Sequence, residues 1–377
     1  MRGVFLVLVL AVTVWAANDV NATDANETGE TKAAFSDSSI KPGKTDTIVV
    51  KGAVLQGQVT GLNDRFVTFS LIYGRGAIRI AYDDIDTLTT EHTYHIFYKD
   101  KETEGRIYGL YEHRWLVIDK QGKKELVDVG DIDRFMLSVQ DDDSLTNKIH
   151  NYVPFWSGNI DLGIEVDQGG VNKRQVDITG RFEYHRQLDR ILVYGSLEDD
   201  IQETNASAGW KSTKDEYLVN LEENHYLSKE KEEHLFIIAG FERDAIREIQ
   251  SRTYPAAGAG YKWTPTEAFW LMLQLGIGGV FNNYMTYGRE YYGAAYTGAE
   301  AYYEFWHGIV FRSKLFYMPS ILHVRSSWLF RLNMSLAFPL SDMFALKFSL
   351  KNVADNNPEP DIGNNKITTN FALSFTF

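Results

Sequence analysis

The sequence predicts an all-β protein: a twelve-stranded antiparallel transmembrane β-barrel, preceded by a small all-β domain. Three observations carry that reading. Large apolar residues alternate with small or polar ones in segment after segment, up to the last residue. A strand with a period of two has one apolar and one polar face. After residues 1–16 no apolar run approaches the ~20 residues that a spanning helix needs, which leaves a closed barrel as the spanning structure. Aromatic residues make up 14% of the chain, with 21 Tyr and 8 Trp. That suits interfacial girdles, where a ring with a polar tip sits at the headgroups.

The chain opens like a secretory signal. Arg2 is a short basic region, Val4 to Val14 an apolar core, and Val14-Trp15-Ala16 a cleavage site, so residues 1–16 are read as a signal peptide. Residues 17–45, rich in Asn, Thr, Asp, Glu and Ser, read as a disordered spacer. There is no Cys, hence no disulfide framework and no thiolate metal site. The formal charge of −13 speaks against nucleic acid, whose phosphates need Lys and Arg.

Residues 46–138 read as short strands with Gly turns, and the pattern occurs twice. Leu55-Gln56-Gly57-Gln58-Val59-Thr60-Gly61 leads into Phe66–Phe69, Ile78–Ile80 and Asp84-Ile85-Asp86. Thr103-Glu104-Gly105-Arg106-Ile107-Tyr108-Gly109 leads into Trp115–Ile118, Leu126-Val127 and Asp131-Ile132-Asp133. The same order at an offset of about 48 residues is an internal repeat. Each unit resembles a small, strongly bent Sm-like barrel, so a tandem pair is expected in the periplasm. The two Asp-Ile-Asp echoes are read as repeat structure rather than a calcium site. Residues 139–155, with Gln140-Asp141-Asp142-Asp143 near their start, read as an acidic linker.

The barrel is expected over 156–377. Strands are predicted near 157–167, 174–187, 190–201, 214–227, 234–244, 252–263, 268–281, 291–305, 308–318, 327–338, 342–352 and 366–377, an even number as single-chain bacterial barrels require. Ile160, Leu162, Ile164 and Val166 alternate with Asp161, Gly163 and Glu165. Trp328 to Phe338 and Phe344 to Leu350 alternate likewise, and the closing strand sets Phe371, Leu373, Phe375 and Phe377 against Ala372, Ser374 and Thr376. Bacterial outer-membrane barrels close on such a strand. If strand one runs outward from the periplasm, the connections after even strands are short and several after odd strands are longer, the expected asymmetry.

Giving each apolar set to lipid leaves the other set to the lumen. An acidic wall then gathers Asp161, Glu165, Asp177, Glu183, Glu198, Glu216, Glu222 and Glu242, and a basic wall Arg312, Lys314, Arg331, Lys347 and Lys351. The basic strands lie opposite the acidic ones around a twelve-stranded ring. Two readings stay open. The leading one is a narrow channel for ions or small solutes, gated by the repeats or tied through them to a partner; it would carry a transverse field and, from its acidic excess, weakly prefer cations. Alternatively the facing rows pair and fill a small barrel, which then anchors the repeat domain for protein binding.

A lipid-modifying enzyme is the third reading and has little behind it. His323 and Ser326 lie three residues apart, on opposite faces of a regular strand, and no metal-ligand spacing or phosphate-binding loop appears. Gly276-Ile277-Gly278-Gly279 lies inside a predicted strand, where Gly permits close packing. No catalytic residue, metal or cofactor is expected. The expected partners are outer-membrane lipid, the barrel-assembly machinery and a periplasmic protein.

The signal, the Gly57/Gly61 and Gly105/Gly109 repeats, a barrel start at Trp156-Ser157-Gly158-Asn159 and the closing Phe377 together resemble the salt-induced outer-membrane protein family, the domain of unknown function 481. The resemblance is firmest over 150–377. It implies an outer-membrane location and lends no substrate and no site residues.

Overall fold

The computed structural model describes residues 44–377, apart from 63–65, 74–76, 100, 112–113, 120–121, 168–171, 204–209, 229–230, 246, 267, 287, 342 and 357–364. The signal peptide and nearly all of the spacer therefore lie outside the described residues.

Two five-stranded antiparallel sheets come first. One holds β1 (Asp46–Val50), β2 (Ala53–Leu62), β3 (Phe66–Leu71), β4 (Ala77–Ala81) and β5 (Ile85–Thr89), in the order β4-β3-β2-β1-β5. The other holds β6 (Tyr94–Tyr98), β7 (Lys101–Tyr111), β8 (Arg114–Asp119), β9 (Lys124–Asp128) and β10 (Ile132–Leu137), in the order β10-β6-β7-β8-β9. Counted from its own first strand, each sheet has the same order.

The repetition reaches single residues. Lys51 and Lys99 both hold positive φ, 48° and 42°, in the turns after β1 and β6. Lys51 pairs with Asp84 at 2.6 Å and Lys99 with Asp131 at 2.5 Å. The register slips between Val59 and Gly61 in β2, and between Ile107 and Gly109 in β7, a bulge that bends each strand at the same place. At Gly57 a Cβ would sit 1.9 Å from the Ser70 carbonyl oxygen, so only Gly allows that close approach. One core serves both sheets, with Ile48, Val59 and Phe69 packed together with Ile96, Ile107 and Val127. Each half alone would bury too little apolar surface.

The stretch read as a linker is partly helical. Helix α1 (Leu145–Tyr152) starts at Ser144, whose hydroxyl accepts from the Asn147 N–H. Asn151 donates from Nδ2 to the Leu137 carbonyl (2.9 Å), fixing α1 to β10. The acidic approach and only two helical turns hid it; the Ser144 cap is the signal that marks it.

The barrel consists of β11 (Trp156–Asp167), β12 (Asn172–Arg186), β13 (Asp189–Glu203), β14 (Trp210–Tyr226), β15 (Glu233–Asp244), β16 (Ile249–Thr266), β17 (Phe269–Tyr284), β18 (Arg289–Glu304), β19 (Val310–Pro319), β20 (Trp328–Pro339), β21 (Phe344–Asp355) and β22 (Asn365–Thr376). Neighbours in sequence are neighbours in the sheet, and β22 closes on β11. Connections span two to six residues at the end where β11 starts and four to nine at the other. The repeat domain attaches at the short-turn end. Phe97 of β6 meets Phe155 (5.3 Å between ring centroids), which meets Tyr184 of β12 (6.0 Å) and lies under Arg186 (5.0 Å).

Candidate functional site: the barrel lumen

The alternation of the strands sets the two faces of the wall. On β15, Leu235, Ile237 and Phe241 are exposed outward, while Phe236, Ile238, Glu242 and Asp244 are buried inward. On β17, Leu273, Leu275 and Ile277 stand out, Ile277 at 71% exposure. Phe371 and Leu373 of β22 are outward and exposed, Phe375 shares that face half-buried, and Phe377 closes the row by exchanging backbone hydrogen bonds with Gly158. Aromatic pairs ring the short-turn end: Trp156–Tyr184, Trp263–Phe269, Tyr303–Phe305 and Phe344–Phe375.

Inside, the side chains form three layers. Near the short-turn end, Arg181 donates to Glu183 (2.8 Å) and Glu300 (2.6 Å), and Arg190 joins the same two carboxylates at 3.1–3.2 Å. Arg312 donates to Glu183 (2.9 Å), Lys314 to Glu222, and Lys347 to Asp161 (2.7 Å).

The middle layer is apolar. Leu218, Phe236, Ile238, Tyr254, Val280, Tyr296, Phe316 and Met318 form one buried cluster. Gly240 makes room for it: a Cβ there would lie 2.0 Å from the Tyr254 ring. At Gly276 a Cβ would meet the Ala257 carbonyl at 2.3 Å and the Phe236 ring at 3.0 Å. The glycine run predicted for close packing does that work here.

Toward the loop end lies a second ionic layer. Arg252 binds Glu242 (3.2 Å) and Asp355, Arg331 pairs with Glu242, and Arg247 pairs with Asp355. Lys351 pairs with Glu198, and Lys366 lies at 2.5 Å from Glu216 and 3.3 Å from Asp244.

Each of the five basic-wall residues therefore meets an acidic-wall residue: Arg312 with Glu183, Lys314 with Glu222, Arg331 with Glu242, Lys347 with Asp161, and Lys351 with Glu198. Glu216 takes Lys366 instead, and Asp177 accepts from Gln175 (2.8 Å). Glu165 lies on β11, and its side chain is outside the described residues. The walls are more mixed than alternation alone suggests. Asp355 sits inward on the basic side because β21 runs three residues past its predicted end. Arg190 and Arg252 sit on the acidic side, next to strand ends where inward and outward positions are hard to read. Phe236, Ile238, Phe316 and Met318 point inward, against the rule that gives each strand's apolar set to lipid.

Among the described residues, two cavities lie in the lumen, both lined by β19, β20 and β21. One of about 100 Å³ lies in mid-lumen, and one of about 270 Å³ lies at the short-turn end. Arg181, Arg312, Ser335 and Lys347 line both.

Among the described residues one carboxylate group has metal-like spacing: Glu216, Glu242 and Asp244, with ligand atoms within 4.8 Å. Lys366, Arg252 and Arg331 already supply its positive charge. Ser326 donates from Oγ to the His323 carbonyl at 3.4 Å, not to the imidazole, so that pair forms no nucleophile–base contact.

Residues 160–377 match the family described as "Protein of unknown function, DUF481". The chain belongs to that family. Curated proteins give no match. Among solved structures the chain is similar to an anion-selective porin from Comamonas acidovorans, at 7% identity over 59% of this chain and 98% of that one (TM-score 0.28). It is similar also to the β domain of the Bordetella autotransporter BrkA, at 8% identity over 59% and 97% (TM-score 0.25). At these scores the likenesses add nothing to the barrel traced strand by strand above.

Proposed function

We propose that this DUF481 protein is a bacterial outer-membrane barrel with a closed lumen, anchoring its tandem β domain in the periplasm as the part that binds a protein partner. The observation that carries the reading is the lumen itself. Two ionic layers pair across it, with an apolar layer between them, as in small barrels that are filled by side chains. The exposed Leu, Ile and Phe band and the aromatic ring at the short-turn end support a lipid surround. The closing strand Phe371, Leu373, Phe375 and Phe377 is the segment the barrel-assembly machinery would read. Attachment at the short-turn end supports the periplasmic side for the repeats. Their five-strand order supports the Sm-like reading, and the sheet ends β4 and β9 are where an extended partner segment would add. No catalytic step belongs to this reading.

A gated channel is the second reading, favoured by one observation: the two cavities share residues, so a polar track enters from the short-turn end and stops beneath the upper ionic layer. Single-channel recording of the refolded full chain in a planar bilayer separates the two. A folded barrel that stays silent supports closure. Reproducible steps, enlarged by Arg331→Ala, would replace it with the channel.

A further inference from the structure

We infer that the mid-lumen cavity is a binding site for a small free oxyanion of the phosphate class. Six cationic side chains line it: Arg181, Arg312, Lys314, Arg331, Lys347 and Lys351. Only three carboxylates do so: Asp161, Glu222 and Glu300. The imbalance comes from how the ion pairs point. Arg331 and Lys351 line the cavity, while their carboxylates, Glu242 and Glu198, do not. Those pairs turn their positive ends toward the space.

The surrounding wall is poorly screening, with Leu192, Ile238, Phe316 and Met334 among its lining, and a low dielectric strengthens whatever field the charges leave. The sign is opposite to the one expected from the acidic excess of the chain, because the excess carboxylates lie behind their partners or outside the cavity.

A second observation points the same way. Arg331 is 3% exposed, and its Nε has no hydrogen-bond partner. A buried donor without an acceptor is costly, and a turn of the guanidinium toward the cavity would let an anion supply one. Lys347 and Lys351 each carry three donors and show one carboxylate apiece, Asp161 and Glu198. Hydroxyls and an amide, Ser313, Ser335, Ser349 and Asn333, complete the lining. Several convergent donors suit an acceptor with several oxygens. A cavity of about 100 Å³ holds a few waters or one such ion, not a nucleotide. The larger cavity at the short-turn end offers the way in, past Arg312 and Lys347, which line both spaces. The site does not depend on whether the barrel conducts.

The test is titration of the refolded full chain in detergent with inorganic phosphate, at ionic strength held constant with sodium chloride, followed by calorimetry and 31P line width. One saturable site is expected, weakened about tenfold or more by Lys347→Gln and by Lys351→Gln, and unchanged by Lys148→Gln on α1. The wild-type arm needs no variant to fold. Absence of saturable binding to a barrel shown folded by heat-modifiable gel migration would overturn the site. So would binding by both lumen variants as tight as that of the wild type. Displacement of inorganic phosphate by short-chain phosphatidic acid in the micelle would overturn the assignment to a free ion in favour of a lipid headgroup.

Discussion

Asp46 and Tyr94 stand 48 residues apart at matching places in the two repeats, the first residue of β1 and the first of β6, and the tyrosine hydroxyl donates to the aspartate carboxylate. The equivalent positions have thus become different residues and partners across the repeat boundary. Asp46 is fully buried and also accepts from Val59 N (3.0 Å), Glu91 N (3.1 Å) and His92 Nδ1 (2.9 Å). Burial, and then the Asp46 charge, raise Tyr94 well above the ordinary tyrosine value, so it remains a donor at any physiological pH.

Asp46→Ala leaves those donors buried without an acceptor. The expected cost is about 3–5 kcal/mol to the repeat domain, by the rule for breaking one side of a buried charged network. Tyr94→Phe loses one hydrogen bond and keeps the ring stacked on Phe135 (4.3 Å), for about 1 kcal/mol. Denaturant melts of the full chain, with protease cleavage mapped between 44 and 138, check both. The barrel's heat-modifiable migration should survive Asp46→Ala, and equal effects of the two substitutions would refute the account.

The lumen gives a double-mutant prediction. Lys351 and Glu198 pair across it, the carboxylate buried and the lysine 14% exposed. Lys351→Met or Glu198→Gln alone strands a charge and should cost about 3–5 kcal/mol. The double variant should recover at least half of that, because two neutral side chains leave no unpaired charge. Urea unfolding of the barrel in detergent reads the coupling, and strictly additive losses would show that the pair is not a unit.

What was legible in the sequence, and what was not, follows from the same physics. Alternation made the barrel readable because a wall with an apolar outer face and a lumen on the other side imposes a period of two on every strand. It placed Lys347, Arg331 and Glu242 inward on that ground alone. It failed where the lumen is itself apolar, since Phe236 and Ile238 look like lipid-facing residues to a reader who sees one strand at a time. Gly240, which lets Tyr254 lie across the wall, is the trace such a packed interior leaves in sequence. The repeat was readable through paired Gly57/Gly61 and Gly105/Gly109. The residues that join the halves, Asp46 and Tyr94, are unlike each other, and so no repeat pattern could find them.

Helix α1 should respond to mild acid. Burial, and then the positive charge of Arg134, lower His150 below its ordinary value of 6.5. The folded state then binds fewer protons than the unfolded one below that pH, so the contribution is complete above 6.5 and is lost as pH falls toward the folded value. Cleavage of the full chain between 139 and 155 should be faster at pH 5.5 than at pH 7.5 (roughly one unit either side of the free imidazole value). His150→Gln should flatten that dependence. An unchanged pH response in this variant would move the cause elsewhere.

The seam between β11 and β22 is the part of the wall expected to open first. Those strands pair from Gly158 to Leu162 with Leu373 to Phe377, whereas β11 pairs with β12 along its whole length, from Trp156 to Asp167. Beyond Leu162 both strands continue toward the loop end, and Gly163 stays close to Phe371: a Cβ there would lie 3.3 Å from its carbonyl oxygen. Backbone groups without partners cannot face hydrocarbon cheaply. The unpaired stretch is therefore expected to draw water from the loop end, where the outward face of β22 carries Thr369 and Asn365 on either side of Ile367. Hydrogen exchange of the full chain in lipid discs should find 163–167 and 366–372 the fastest-exchanging strand segments of the barrel, and β13 to β17, paired on both sides, the slowest. Protection of the seam equal to that of β15 would mean that the ladder is complete in the membrane.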